Sequence, residues 1–240
     1  MMKKVLVTGV SRGLGLALAK ALLEAGYGVI GLGRGESPAF RALEAKHPGQ
    51  TAYVQGDMAD IAALSDIART ITKSYGPVYG LVNNAAIGGA GVLATMHQAD
   101  MERIMATNLM GPMTLTKYLM RSMLARKEGR IINISSISAQ SGFHAMSVYA
   151  ASKAGLEGFS RALSREAGKY GVTVNCVAPG FLETEMTEGF GDDALASIRR
   201  RAPLGLPTSE QVAGAVLYLL SDAAARVTGT VMTVDGGSTA

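Results

Sequence analysis

The sequence has little cysteine, little proline and no long apolar run, and each shortage narrows the class of protein. The single cysteine, Cys176, cannot form an internal disulfide, which favours a reducing, cytoplasmic compartment. Only 7 prolines and 18% charged residues against 48% hydrophobic ones exclude a disordered chain. The longest apolar run, Val212 to Leu220, is broken by Gly214 and is far shorter than the roughly 20 residues of a membrane span. We therefore expect a folded cytoplasmic protein with no membrane segment and, because its first apolar stretch is short, no signal peptide.

Charge and histidine content exclude further classes. The 23 basic and 19 acidic residues give a net charge of +4, which favours anionic ligands but does not indicate a nucleic-acid-binding protein. The three histidines, His47, His97 and His144, are scattered without metal-ligand spacing. We expect no catalytic metal.

Strand-like and helix-like segments alternate along the whole chain, which is typical of an α/β fold. The pattern predicts one domain, residues 1–240, with a doubly wound Rossmann-type fold: a seven-stranded, mostly parallel sheet with helices on both faces. The segment Phe181 to Pro207 interrupts the alternation and is rich in charge and glycine, so it is predicted to be a mobile substrate loop. The strand candidates are Val5–Thr8, Gly28–Leu32, Ala52–Gln55, Gly80–Asn83, Arg130–Ser135, Val172–Val177 and Thr230–Val234.

Glycine is abundant, with 30 in 240 residues against a usual share of about 7%. Its first cluster, Thr8 to Gly15, lies where the first strand meets the first helix. Here glycine permits a tight turn at Gly9, lets a pyrophosphate approach the backbone, and lets the helix pack closely at Gly15. Because the helix N-terminus offers free N–H groups, the cluster predicts a dinucleotide site.

The Gly-xxx-Gly-x-Gly spacing resembles the short-chain dehydrogenase/reductase family. Further family motifs follow in the same order along the chain. They are Asn83-Asn-Ala-Ala86, Asn108, Ser136, Tyr149-Ala-Ala-Ser-Lys153, Pro179-Gly180 and Val234-Asp-Gly-Gly237. One departure is Ala86, where the family usually has glycine, and we expect it to tighten that turn without abolishing cofactor binding.

The end of the second strand favours NADP over NAD. In this architecture it reaches the adenosine ribose, where an acidic side chain bonds a 2′-hydroxyl and an arginine accepts a 2′-phosphate. Gly33 stands where NAD-preferring relatives carry aspartate, Arg34 follows it, and Arg12 adds a second cation. The resemblance implies a larger set of cofactor contacts. They are Gly9, Val10, Ser11, Arg12, Gly13, Leu14, Gly15, Arg34, Asp57, Met58, Asn84, Ala85, Ala86, Tyr149, Lys153, Pro179, Gly180, Leu182 and Thr184.

Tyr149 and Lys153 are four residues apart on a predicted helix and so share one face. An adjacent ammonium is expected to lower the pKa of the tyrosine, which can then act as a general acid. The resemblance implies that Ser136 holds the substrate oxygen, together with Tyr149, and that Asn108 anchors a water for proton supply. Ser135 competes for the serine role, but the thirteen-residue separation from Ser136 to Tyr149 is the usual one in the family.

Three sequence segments resemble those of the β-ketoacyl-acyl carrier protein reductases: Pro179 to Met186, Gly129 to Ser136 and Val227 to Thr230. This resemblance implies NADPH-dependent reduction of a β-ketoacyl thioester. Acetoacetyl-coenzyme A, another alcohol, sugar or steroid substrate, and a non-catalytic NADP sensor stay open as alternatives.

An acidic carrier protein requires a basic docking surface. Candidates are Arg126, Lys127 and Arg130 before the fifth strand, with Lys169 after the Tyr149 helix. The family has a docking cation where this chain has Tyr170. Family members usually pair the Asn108 and Tyr149 helices across a twofold axis, so we expect a homodimer or homotetramer.

Overall fold

The computed structural model describes residues 2–89, 91–183 and 192–240. Within these ranges strands and helices alternate along the chain. The strands are β1 (Lys4–Thr8), β2 (Gly28–Gly33), β3 (Thr51–Gln55), β4 (Gly80–Asn83), β5 (Gly129–Ile134), β6 (Val172–Pro179) and β7 (Val231–Val234). The helices are α1 (Gly13–Glu24), α2 (Pro38–Lys46), α3 (Leu64–Tyr75), α4 (Gln98–Met105), α5 (Gly111–Arg126), α6 (Ser147–Ala167), α7 (Asp192–Arg200) and α8 (Ser209–Leu220).

The seven strands form one sheet in the order β3-β2-β1-β4-β5-β6-β7. Every neighbouring pair is parallel. The chain order reverses between β1 and β4, so their carboxyl ends open a crevice of the kind in which doubly wound folds bind ligands. The predicted Rossmann-type architecture is confirmed.

Helices cover both faces of the sheet, because alternate residues of each buried strand point to opposite sides. On one face Val5 and Val7 pack with α1 and α8 residues such as Leu18 and Val216. On the other face Leu6 packs with residues of α3, α5 and α6. Strand β6 is buried at all eight positions, as expected for a central strand of a parallel sheet.

The helical stretch that contains Asn108 is interrupted. A π-helical segment, Ala106–Met110, joins α4 to α5, and Asn108 lies within it. Met96 precedes α4 and ends a short 3-10 turn. Such π segments occur frequently at functional sites, because the extra residue changes where side chains and carbonyls point.

The predicted substrate loop, 181–207, falls partly outside the described residues, since 184–191 are not described, and Thr184 is among them. The described part contains α7, so part of this segment is helical. The charged composition that suggested a loop is typical of an exposed helix, and the last turn of α7 carries Arg199 and Arg200. The mobility of the segment stays a prediction.

Over the described residues, no helix has the length and apolarity required to cross a membrane.

Candidate active site

The loop between β1 and α1 is shaped by glycine contacts that no other residue could make. Gly9 and Gly13 have positive φ angles of 74° and 51°. A Cβ on Gly15 would lie 1.9 Å from the Gly9 carbonyl oxygen, far inside van der Waals contact. No side chain caps the N-terminus of α1, and its first turn contains no acidic residue. The backbone N–H groups of this turn are therefore suited to an anion such as a pyrophosphate.

A second loop, after β4, is tied directly to the glycine loop. The Thr8 hydroxyl accepts hydrogen bonds from the backbone N–H groups of Asn84 (3.0 Å) and Ala85 (2.9 Å). The Asn84 side-chain amide donates to the carbonyls of Thr8 (2.9 Å) and Gly9 (3.2 Å). These bonds fix the floor of the crevice between β1 and β4.

The end of β2 carries the residues expected to select the cofactor. Arg34 is exposed there, and the Ser11 hydroxyl from the glycine loop donates to the Gly35 carbonyl at 3.1 Å. The turn also contains a carboxylate that our sequence argument did not consider, Glu36. Arg41 forms an ion pair with it, and the hydrogen bond from Arg41 lowers the pKa of Glu36. Because this arginine offsets the carboxylate charge, the turn can still accept a 2′-phosphate.

The residues present fit a dinucleotide, although some predicted contacts can involve only backbone atoms. The side chains of Val10 and Met58 are buried in the two hydrophobic cores. Asp57 is exposed, and its carboxylate accepts from the N–H of Ala59 at 2.9 Å. At the other side of the crevice Gly180 follows β6 and donates to the Val234 carbonyl at 2.8 Å. Leu182 packs against the α1 and α8 core, whereas Thr184 lies outside the described residues.

Ser136 and Tyr149 meet at the carboxyl end of β5. The Ser136 hydroxyl lies close enough to Tyr149 to act on the pKa of its phenol. The Ser136 hydroxyl also lies 2.6 Å from the Ser138 hydroxyl and accepts from the Ser138 N–H at 3.1 Å. The competing serine, Ser135, is buried and donates to the Glu157 carboxylate at 2.7 Å. Of the two serines, only Ser136 therefore contacts Tyr149.

Lys153 lies below Tyr149 on the same face of α6, as the four-residue spacing predicts. Its ammonium is 5.7 Å from the centre of the Tyr149 ring and donates to the Ile134 carbonyl at 2.8 Å. Burial lowers the pKa of Lys153 to about 8. Burial also raises the pKa of Tyr149, and the hydrogen bond from Ser136 only partly opposes this. Our expectation that the ammonium lowers this pKa is wrong for the protein alone, because desolvation of the phenol dominates.

Asn108 clamps the loop after β4 to α6. Its Oδ1 accepts from the Ile87 N–H at 2.9 Å, and its Nδ2 donates to the Ile87 carbonyl at 3.0 Å and to Ser152 Oγ at 3.2 Å. Ser152 in turn donates to the Tyr149 carbonyl at 2.7 Å. Both amide hydrogens of Asn108 are thus used within the protein, and the predicted water-anchoring role stays a prediction.

Sequence reasoning missed Thr8, Ser138 and Ser152, each of which supports a predicted residue. Ser152 lies inside the Tyr149-to-Lys153 motif and three residues after Tyr149, a spacing that could have suggested a helical hydroxyl-to-carbonyl bond. Thr8 directly precedes the first glycine. For Ser138 the sequence gives no signal, because its contact with Ser136 depends on a 3-10 turn at Ile137–Ala139.

The predicted basic surface needs a correction at Arg130. This side chain is 6% exposed, its guanidinium lies 5.5 Å from the centre of the Tyr79 ring, and it faces Asp222 at 3.8 Å. Arg130 is part of β5 and is directed into the base of the sheet, so it is not available for docking. Lys127 and Lys169 are both exposed, as is Arg126, whose guanidinium donates to the Val78 carbonyl at 2.9 Å.

Comparisons with known proteins cover nearly the whole chain. The family model described as enoyl-(acyl carrier protein) reductase matches residues 9–239. The chain is 40% identical over 236 residues to 3-oxoacyl-acyl-carrier-protein reductase FabG of Escherichia coli, covering 98% of this chain and 96% of the relative. The corresponding protein of Vibrio cholerae is 38% identical over 237 residues, with coverage of 98% and 96%.

A solved structure shows the same likeness in three dimensions. A crystal structure of an actinorhodin polyketide ketoreductase variant with NADPH aligns with a TM-score of 0.91 and 32% identity. The alignment covers 99% of this chain and 97% of that one. The chain belongs to the short-chain dehydrogenase/reductase family and within it is most like the β-ketoacyl-acyl carrier protein reductases.

Proposed function

We propose that this protein reduces a β-ketoacyl thioester to the β-hydroxyacyl thioester with NADPH. The chain is an oxidoreductase acting on CH–OH and C=O groups, and its cofactor is NADP(H). The observation that carries the proposal is the convergence of Ser136, Tyr149 and the buried Lys153 at the carboxyl end of β5. Full-length similarity to 3-oxoacyl-acyl-carrier-protein reductases supports the substrate class.

Tyr149 supplies a proton, and the neighbouring residues position the reacting groups. When bound, NADPH supplies the hydride for the carbonyl carbon. Tyr149 gives its hydroxyl proton to the carbonyl oxygen, and its raised pKa keeps that proton in place at neutral pH. Ser136 donates a hydrogen bond to the same oxygen. Lys153 places a buried ammonium 5.7 Å from the centre of the Tyr149 ring. Asn108 holds the loop after β4 against α6.

The test is NADPH oxidation by the purified protein with acetoacetyl thioesters on an acyl carrier protein and on coenzyme A. A crotonyl thioester, an enoyl substrate, is measured beside them because the matching family model bears the name of enoyl reductases. A panel of ketones and sugars completes the set. We expect turnover of the β-keto thioesters above all others. Turnover confined to simple ketones or sugars would instead indicate another dehydrogenase of this fold, and NADPH binding without any turnover would indicate a sensor.

We also propose that a carrier protein docks on a basic surface formed by Arg126, Lys127 and Lys169. These residues come from two chain segments that touch, since a Cβ on Gly171 would lie 2.5 Å from the Lys127 carbonyl oxygen. The Lys169 ammonium lies 5.2 Å from the centre of the Tyr170 ring, so it covers the position where the family has a docking cation. The surface is positive even without Arg130.

This basic surface lies at the far end of β5 and α6 from Tyr149. Tyr149 is in the first turn of α6 and Lys169 follows its last, so at 1.5 Å per residue the two are about 30 Å apart. A carrier on this surface would therefore serve the site of a second copy whose α6 runs antiparallel. The exposed Met110, at 45%, lies on the helical stretch expected to pair in such a dimer. Size-exclusion chromatography with light scattering tests the dimer, and a strictly monomeric protein would contradict this arrangement.

A further inference from the structure

Among the residues that the structure describes, the Tyr53 hydroxyl is a buried polar group without a hydrogen-bond partner. Tyr53 lies on β3 opposite Gly31 of β2, and its ring packs on Phe40 with the ring centres 5.7 Å apart. The hydroxyl oxygen is shielded from solvent and has no hydrogen-bond partner in the described part of the chain. A buried hydroxyl normally has such a partner, because leaving it unpaired costs free energy. A ligand that binds beside Tyr53 could supply the missing hydrogen-bond acceptor.

The hydroxyl lies at the end of β2, next to Gly33. A Cβ placed on Gly33 would be 3.0 Å from the Tyr53 hydroxyl and 3.5 Å from Ser11 Oγ. Gly33 does not adopt a positive φ, so its backbone conformation does not require glycine. The space beside it is tight, since the Tyr53 hydroxyl occupies the direction in which a side chain would project.

This position coincides with the part of the site that distinguishes NADP from NAD. In doubly wound folds the end of β2 meets the adenosine ribose, and an acidic residue there selects the 2′-hydroxyl of NAD. In this protein the same place presents two hydroxyl groups, from Tyr53 and Ser11, with the exposed Arg34 adjacent. Ser11 belongs to the glycine loop, so the Tyr53 hydroxyl lies at the boundary between β3 and the cofactor site.

We propose that Tyr53 is a specificity-determining residue of the cofactor site. Its hydroxyl takes the space beside Gly33 that an acidic side chain would require, and a small movement of the side chains that cover it lets it donate a hydrogen bond to the 2′-phosphate. The phosphate thereby supplies the partner that the hydroxyl otherwise lacks. The proposal rests on the use of NADP(H) and is independent of the substrate, so it is tested by binding rather than by turnover.

The first test compares Tyr53→Phe with Tyr218→Phe, which removes the same atom from an exposed ring on α8. Calorimetry measures the dissociation constants of NADPH, NADH, 2′,5′-ADP and 5′-AMP. We expect Tyr53→Phe to weaken NADPH and 2′,5′-ADP about tenfold, the usual effect of losing one hydrogen bond to a charged group, and to change NADH and 5′-AMP less than about twofold. The melting temperature of the cofactor-free variant should stay equal or rise, because an unpaired buried hydroxyl is removed. Equal changes for ligands with and without the 2′-phosphate, or none, would overturn the proposal.

A second pair of variants keeps the proposal testable if Tyr53→Phe does not fold. Gly33→Ala places a methyl group 3.0 Å from the hydroxyl, whereas Gly214→Ala, inside α8 and away from this turn, meets no atom within 4 Å. We expect Gly33→Ala to displace the hydroxyl and to weaken NADPH several-fold more than NADH, while Gly214→Ala leaves the ratio of the two dissociation constants unchanged. The same ratio in both variants would show that the hydroxyl does not contribute to selection.

Discussion

The glycine loop and the segment that follows β6 border the same crevice but are held in different ways. In the glycine loop backbone atoms touch backbone atoms, as between Gly15 and the Gly9 carbonyl, and Thr8 fixes the neighbouring loop. In its described part, the segment after β6 is held by hydrogen bonds at its two stems and by side-chain contacts of Arg199 with Glu183 and of Arg201 with the Phe143 ring. Gly180 bonds to Val234 at one stem, and the Leu204 N–H donates to the Gly236 carbonyl at 3.1 Å at the other.

Both stems depend on one C-terminal turn around Asp235. Although burial acts to raise it, the pKa of Asp235 is lowered by hydrogen bonds from Thr239, Gly237 and Ser238. Leu204, in the described part of this segment, is 90% accessible. The glycine loop is therefore fixed by contacts between backbone atoms, whereas the described part of the segment after β6 is held by a few hydrogen bonds and side-chain contacts.

The largest expected effect is a loss of turnover in a Tyr149→Phe variant that still binds NADPH. Tyr149→Phe removes the proton donor but keeps the ring that packs above Lys153. We expect turnover of an acetoacetyl thioester to fall about 10²- to 10⁴-fold, the usual contribution of general acid catalysis, while NADPH affinity changes little. Stopped-flow reduction and equilibrium NADPH binding measure the two quantities. Near-normal turnover would sink the assignment of Tyr149 as the acid.

The next prediction tests whether backbone contact fixes the glycine loop. Gly15→Ala would force a methyl group to within 1.9 Å of the Gly9 carbonyl, so we expect at least tenfold weaker NADPH binding and a lower melting temperature. Gly214→Ala is the matched control, because Gly214 lies inside α8 with no atom within 4 Å of an added Cβ. It should gain up to about 1 kcal/mol from helix propensity. Similar melting temperatures and affinities for the two variants would show that the close packing is not required.

Buried apolar strands could be predicted from the sequence, whereas contacts between residues distant in sequence could not. Strands buried on both faces appear as continuous apolar runs, so β5 was predicted as Arg130–Ser135 and is found at Gly129–Ile134. The burial of Arg130 could not be predicted, because it depends on Tyr79, which is 51 positions away in sequence. The direction of the Tyr149 pKa shift likewise follows from desolvation by the folded protein, which no spacing of residues encodes.

Because Lys153 is buried, its titration should make the free energy of unfolding depend on pH. Its pKa of about 8 in the folded protein is below the unfolded value of 10.5, so between these values the unfolded chain binds more protons. The free energy of unfolding should therefore rise with pH between about 8 and 9, by on the order of 1 kcal/mol, until the raised pKa values of Cys176 (to about 11) and of Tyr149 oppose it. Urea unfolding of the cofactor-free protein measures the slope. Lys153→Met should lack the rise, and parallel curves for the two proteins would contradict the buried ammonium.

The smallest expected effect concerns the exposed surface that is proposed to receive a carrier protein. Reversing the charge in Lys127→Glu and Lys169→Glu should raise the KM for an acyl carrier protein-bound β-keto thioester several-fold, because rim charges act mainly on association. The KM for a small thioester analogue should stay unchanged, because it lacks the acidic carrier surface that these lysines would bind. Lys73→Glu, on the exposed side of α3, makes the same change in net charge elsewhere and should affect neither substrate. Because long-range attraction is screened by salt, the several-fold effect should also shrink as ionic strength rises. Equal effects on the carrier-bound and small thioesters would remove the docking surface and leave substrate choice to the segment after β6 alone.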